Sequence, residues 1–167
     1  MGKLRILLFV IIAIISFIAC EKDDICVDGD TPLLIIQFYD NENPSELKAV
    51  PSLRVIGLGQ SSTVNTITDR TSLDSIALPL RINEANTGFI LIADSADEDD
   101  LETGNNDTLT FNYSTLEVFI SKACGYIANY DDLGEQLTTD NENWIQNIEI
   151  VSPLIQQQDS AHVKIFH

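Results

Sequence analysis

The feature that most constrains this chain is a two-residue alternation of apolar and polar side chains. Leu109, Phe111 and Tyr113 fall on one side of an extended segment, Thr110 and Asn112 on the other. Successive side chains of a strand point to opposite faces, so this period suits a half-buried strand rather than a helix. Leu116, Val118 and Ile120 take up the period again, with a turn or bulge expected at Ser114. Other short apolar stretches recur along the chain. Residues 33–39 read as a central strand, followed by 53–58, 64–68, 72–80 and 89–93. Residues 126–130, 136–139, 144–151 and 162–166 complete the set. Within 72–80, Ile76, Leu78 and Leu80 share a face, and Pro79, having no amide donor, marks a sheet edge or a strand end. Turn-forming residues such as Asn41-Glu42-Asn43-Pro44 separate the stretches, and the acidic segment 94–106 reads as a surface loop. No amphipathic helix interrupts them. The pattern predicts an all-β fold, an antiparallel β-sandwich with a small β-barrel as the alternative. An immunoglobulin-like sandwich lacks its hallmark, because Trp144 lies beyond Cys26 and Cys124 rather than between them.

The amino-terminal segment follows a different rule. Lys3 and Arg5 precede residues 6–19, which are apolar except for Ser16. That run is shorter than the roughly 20 residues of a bilayer span and fits the core of a signal peptide. The N-myristoylation pattern fails, since Ile6 stands where Ser or Thr is needed. At Cys20 the chain turns abruptly polar. Phe17-Ile18-Ala19-Cys20 resembles the lipobox of bacterial lipoproteins, with Phe17 where Leu is commoner. The resemblance implies cleavage before Cys20, a diacylglyceryl group on its thiol and a fatty acyl chain such as palmitate on the new amino group. Each buried methylene of such chains adds about 0.8 kcal/mol, so two or three chains hold stably where one does not. The expected organisation is a signal peptide over 1–19, a lipidated polar tether over 20–31 and one β domain over 32–167. Glu21-Lys22-Asp23-Asp24 resembles a surface-export signal of some Gram-negative lipoproteins, which implies the outer membrane and its cell-surface face. A plain hydrophilic tether on the periplasmic face is the alternative.

The formal charge is −17, and cleavage would remove two of the nine basic residues. Such a chain repels phosphate backbones and shows no basic patch, so nucleic-acid binding is disfavoured, as is docking to anionic lipid by charge. With Cys20 lipidated, Cys26 and Cys124 remain. An even count in an oxidising compartment predicts a disulfide between them, two buried free thiols being the alternative. The bridge would tie the start of the first strand to a strand end late in the chain. Closing a loop of about a hundred residues gives roughly 4–5 kcal/mol in the chain-entropy picture.

Catalytic patterns are scarce, and the chain is not expected to be an enzyme. His162 and His167 are the only histidines. Alternation places His162 on a strand surface beside Lys164 and Phe166. No second His completes a zinc site, no G-x-S-x-G elbow is present, and Gly57-Leu58-Gly59 has no helix after it to cradle phosphate. Asp97-Glu98-Asp99-Asp100, Asn105-Asn106-Asp107 and Asp28-Gly29-Asp30 offer oxygen ligands for calcium, without EF-hand spacing. Four Asp-hydroxyl pairs, at Ser75, Ser95, Thr108 and Ser160, resemble the O-glycosylation signal of some Gram-negative bacteria.

Much of the chain is similar to an uncharacterised family of small Gram-negative lipoproteins carrying one domain of unknown function. The residues that carry the likeness are 20–26, 34–40 with Asn43-Pro44, Cys124-Gly125-Tyr126, Asn143-Trp144-Ile145 and 162–166. The resemblance brings no activity; it implies an outer-membrane β-barrel protein as a partner. The expected function is a non-enzymatic interaction or accessory module of the envelope. The alternative is a binder of glycans or small ligands, with Trp144, Tyr126 and Tyr130 available to stack on sugar rings.

Overall fold

The computed structural model describes Gly2, Cys26 and residues 29–167; the lipobox, Cys20 and Asp28 lie outside the described residues. Eleven strands follow in order: β1 (Leu34–Tyr39), β2 (Val50–Gly57), β3 (Thr71–Leu73), β4 (Ser75–Leu78), β5 (Asn86–Ala93), β6 (Asp97–Glu98), β7 (Leu101–Glu102), β8 (Asn105–Ser121), β9 (Gly125–Leu137), β10 (Asn147–Ile150) and β11 (Val163–Phe166). They form a four-stranded sheet, β10-β11-β1-β4, a five-stranded sheet, β3-β2-β5-β8-β9, and a separate β6-β7 hairpin. Neither large sheet closes on itself, which excludes the barrel and leaves the sandwich.

The inner faces supply one core. Leu34, Ile36 and Phe38 of β1 meet Val163 and Ile165 of β11 and Ile76 and Leu78 of β4, while Leu91, Leu109 and Phe111 come from the other sheet. β1 lies between two partners, as its near-continuous apolar run predicts. One pairing departs from the antiparallel expectation: β1 runs parallel to β11, with Ile36 opposite Val163. A parallel pair needs a crossover, and here most of the domain's chain forms it.

Strand boundaries differ from the sequence reading for local reasons. Residues 72–80 split into β3 and β4, which belong to different sheets, and Phe38 N–H donates to the Asp74 carbonyl between them (2.9 Å). Pro79 follows β4, an edge strand, so both of its expected meanings hold. Residues 64–68 form no strand; only an isolated bridge from Ile56 to Thr63 marks the approach of that segment. The stretches 126–130 and 136–139 are one strand, β9. In β2 a bulge at Pro51-Ser52, where Ser52 has φ 45°, lets Val50 and Leu53 both face inward despite their three-residue spacing.

The break expected at Ser114 falls on the partner strand. Asn112 pairs with Gly134 and Ser114 with Asp131, so β9 carries the extra residue, and Asp132 has φ 53°. β8 therefore keeps its alternation without a flip. Leu116, Val118 and Ile120 lie on the face opposite Leu109, Phe111 and Tyr113, away from the core.

Candidate functional site

β8 and β9 continue past the sandwich as a two-stranded arm, closed by a turn at Lys122-Ala123-Cys124. Gly125 ends the turn with φ 72°, a conformation that costs a residue without Cβ little. The disulfide expected between Cys26 and Cys124 forms here, with Cα atoms 4.8 Å apart. It does not cross the core between sheets as an immunoglobulin bridge does; it fastens the segment ahead of β1 to the tip of the arm. A Cβ at position 29 would collide with the Cys26 sulfur and crowd Cys124 at 3.0 Å, so the fastening needs Gly29. Further along, Thr31 Oγ1 accepts the Ala128 N–H on the open edge of β9 (3.2 Å). The stretch read as a tether is thus held at Cys26 and again at Thr31.

The arm's tip is apolar on both faces. Phe119 and Tyr126 are cross-strand partners on the side that carries Ala128 and Tyr130 into the core, but they lie beyond the covering sheet. They are 55% and 69% exposed, and their rings meet edge to face at 5.3 Å. On the other side Leu116 is 42% exposed, and Val118 pairs with Ile127. Residues 118–130 contain no carboxylate, in a chain with 26 of them; their one charge is the exposed Lys122.

Groups that could perform chemistry are elsewhere, and structure occupies them. His162 is 3% exposed, which corrects the expected strand-surface position. Alternation misplaced it because β11 begins only at Val163. Its Nδ1 accepts the Ile35 N–H at 3.0 Å, and its own N–H donates to the Ile35 carbonyl at 2.9 Å. Burial lowers its pKa, against the Gln157 carbonyl and the Asp159 charge, which raise it.

Asp107 is fully buried. Its Oδ1 accepts from the Asn143 side chain and its Oδ2 from the Ile145 N–H, both at 2.8 Å, anchoring the loop before β10. Burial raises its pKa despite those bonds. Tyr130 Oη donates to the Leu80 carbonyl and Tyr113 Oη to the Arg81 carbonyl. Burial pushes the Tyr130 phenol up to about 12, so it stays a donor. These phenols hold residues 79–81 between two open grooves of about 430 and 530 Å3; the second touches Thr31 and Pro32 near the base of the arm.

The acidic segment 94–106 is not a loose loop. Its β6-β7 hairpin turns through Asp99 and Asp100, both with positive φ, and is clasped by two arginines. Arg54 binds Asp69 through two nitrogens and reaches Glu102 at 2.9 Å; Arg70 binds Asp97 and the Ser95 hydroxyl. Burial alone would raise Glu102, but the Gly104 N–H, the Ser95 hydroxyl and Arg54 outweigh it and hold its pKa down. Gly104 is required by close approach, since a Cβ there would lie 2.7 Å from the Ala93 carbonyl oxygen.

The expected calcium ligands are therefore dispersed: Asp97 is paired with arginine, Asp99 and Asp100 form the turn, and Asp107 is buried. Among the described residues no group of three or more His, Cys, Asp or Glu is placed to hold a metal ion. The four hydroxyl residues also differ. Ser95 is 4% exposed with its hydroxyl bonded to Glu102, Ser75 and Thr108 are half-buried in β4 and β8, and Ser160 is exposed. Of the three aromatics considered for sugar stacking, Tyr130 is fully buried and Trp144 packs against Phe38 at 6.2 Å with its Nε1–H on the Leu91 carbonyl. Only Tyr126 is presented to solvent. The arm tip stands out on this surface because its exposed side chains include a contacting aromatic pair beside the disulfide, whereas Leu47, Leu58, Ile82, Leu101 and Val151 are the exposed large apolar residues elsewhere among the described residues.

No curated protein and no solved structure matches the chain. A family model does, over residues 52–167, from within β2 to the end of the described fold, and the chain belongs to that family of unknown function, DUF6452.

Proposed function

We propose that this protein is an exported, lipid-anchored β domain of the bacterial envelope, acting at the outer membrane as a binding or accessory module rather than as an enzyme. The observation that carries the reading is the Cys26–Cys124 disulfide. A bridge of this kind persists in oxidising compartments, which agrees with export by the amino-terminal signal. It also fixes the start of the domain six residues after the lipobox cysteine. A non-catalytic role is supported by the use made of the reactive groups. His162, Asp107 and Glu102 each spend their hydrogen-bonding capacity on holding backbone or arginine in place. The outer-membrane face and a β-barrel partner belong to the same proposal; the first rests on the resemblance of residues 21–24 to a surface-export signal, the second on the likeness of most of the chain to the small-lipoprotein family.

The test is the mass of the mature amino terminus in membranes of the native host, with the fate of Cys20→Ser beside it. A peptide beginning at Cys20 and carrying acyl chains is expected, and Cys20→Ser should remain uncleaved or leave the membrane fraction. An unmodified terminus, or unchanged membrane association of the variant, refutes the anchor.

A further inference from the structure

Resting on that anchored reading, we infer that the tip of the β8-β9 arm is a lipid-contacting surface, seated in the membrane interface beside the anchor and setting which end of the sandwich faces the bilayer. The covalent path places it there. Cys20 is six residues from Cys26, so an extended connection spans at most about 20 Å. Cys26 is bonded to Cys124 in the turn of the arm, two residues from Tyr126. Whatever membrane holds Cys20 therefore lies within a short reach of Phe119 and Tyr126, and cannot be reached as easily by the opposite end of β8.

The chemistry of the tip suits that position. Phe119 and Tyr126 project past the core, and Leu116 with the Val118–Ile127 pair makes the reverse face apolar too. A protein docking on one side of a hairpin needs one apolar face; immersion in an interface calls for both. Tyrosine places an apolar ring in the headgroup layer with its hydroxyl in water, and lysine extends its ammonium to phosphates above a buried stem. Lys122 stands at the apex of the turn for this purpose. The charge distribution agrees. Carboxylates would be driven from an anionic surface, and they are missing from residues 118–130 while crowding the other end of β8, at Asp97 to Glu102. The tip itself, residues 118–127, therefore meets lipid with no carboxylate of its own, Glu117 being the nearest one on β8.

The experiment reconstitutes the full-length mature protein, purified from its membranes, into vesicles with and without brominated acyl chains. Two single variants, Phe119→Trp and Leu101→Trp, carry the probe. Both sites are on the surface, and Leu101, 69% exposed, lies in the β6-β7 hairpin at the far end of β8. Wild-type protein gives the Trp144 background. The expected result is loss of the added emission in brominated vesicles for Phe119→Trp, with a blue shift, and no loss for Leu101→Trp. Quenching at neither site, or equal quenching at both, overturns the inference. The amino-terminal mass of the same sample keeps the two readings apart. An acylated protein with an unquenched probe refutes the seated arm and leaves the anchor standing; an unacylated terminus removes the anchor and the inference with it.

Discussion

Within β8 and β9 the same two strands lead two different lives. From Leu109 to Tyr113, every second side chain is sealed against the four-stranded sheet. From Thr115 onward the alternation continues without interruption, yet no second layer covers it, and Phe119 stays more than half exposed. The pairing is equally regular in both halves, and β8-β9 has the longest ladder in the molecule. Hydrogen-bonded register therefore does not decide burial. The opposing sheet does, and it ends before the hairpin does. An aromatic residue in the body is there for stability, whereas one at the tip contributes little to folding and is available for something outside the chain.

The largest expected effect tests that contrast directly. Phe111→Ala opens a hole in a packed core and should cost about 3–5 kcal/mol in denaturant unfolding. Phe119→Ala, the same chemical change eight positions along the same strand, should alter stability by no more than about 0.5 kcal/mol. Comparable losses at both positions would mean that the arm is packed in solution, and the distinction between body and tip would fall.

How far the sequence revealed this molecule follows the same line. The core strands were legible because burial imprints a period of two, and Leu34 to Phe38, Ile76 to Leu80 and Leu109 to Tyr113 all carry it. The disulfide was legible once Cys20 was set aside as the lipobox cysteine, which left two, although its place at a hairpin tip was not. What stayed hidden depended on partners distant in sequence. His162 is buried because Ile35 offers both a donor and an acceptor across 127 positions. The acidic segment 94–106 is ordered because Arg54 and Arg70 arrive from other parts of the chain. The outward turn of Leu116, Val118 and Ile120 follows from β8 keeping its period of two, and what the sequence hid was that the bulge expected at Ser114 sits in β9 instead. The arm's exposure left no trace in the sequence: residues 118–130 carry no carboxylate, but neither do residues 47–68, which include the core strand β2.

A smaller effect should follow from unfastening the arm. The double variant Cys26→Ser with Cys124→Ser removes a cross-link across 98 positions and should lower stability by about 2–4 kcal/mol, less than the chain-entropy figure because a reduced unfolded chain retains structure. Its local signature matters more to the comparison. Amide exchange should accelerate between Val118 and Ala128, where the bridge and the Thr31 contact are the restraints, and change far less at Leu109 to Phe111. Uniform acceleration along both halves of β8 would show that arm and body open together.

The smallest effect belongs to the body and has no counterpart in the arm. His162 is neutral at Nδ1 as long as the Ile35 N–H donates to it, and burial holds its pKa below the ordinary 6.5. The unfolded chain therefore takes up this proton first as the pH falls. Between 6.5 and the lowered folded value the unfolded state binds more protons, so stability is full above 6.5 and declines through that window; the loss levels off once the folded protein is protonated too. Thermal unfolding across this range should show a slope that His162→Gln abolishes. Amide protection factors in the arm, with the intrinsic pH dependence of exchange divided out, should stay constant over the same range, because no titrating histidine supports it. If the slope survives in His162→Gln, the imidazole is not the group responsible, and the Ile35 contact does not distinguish the body from the arm.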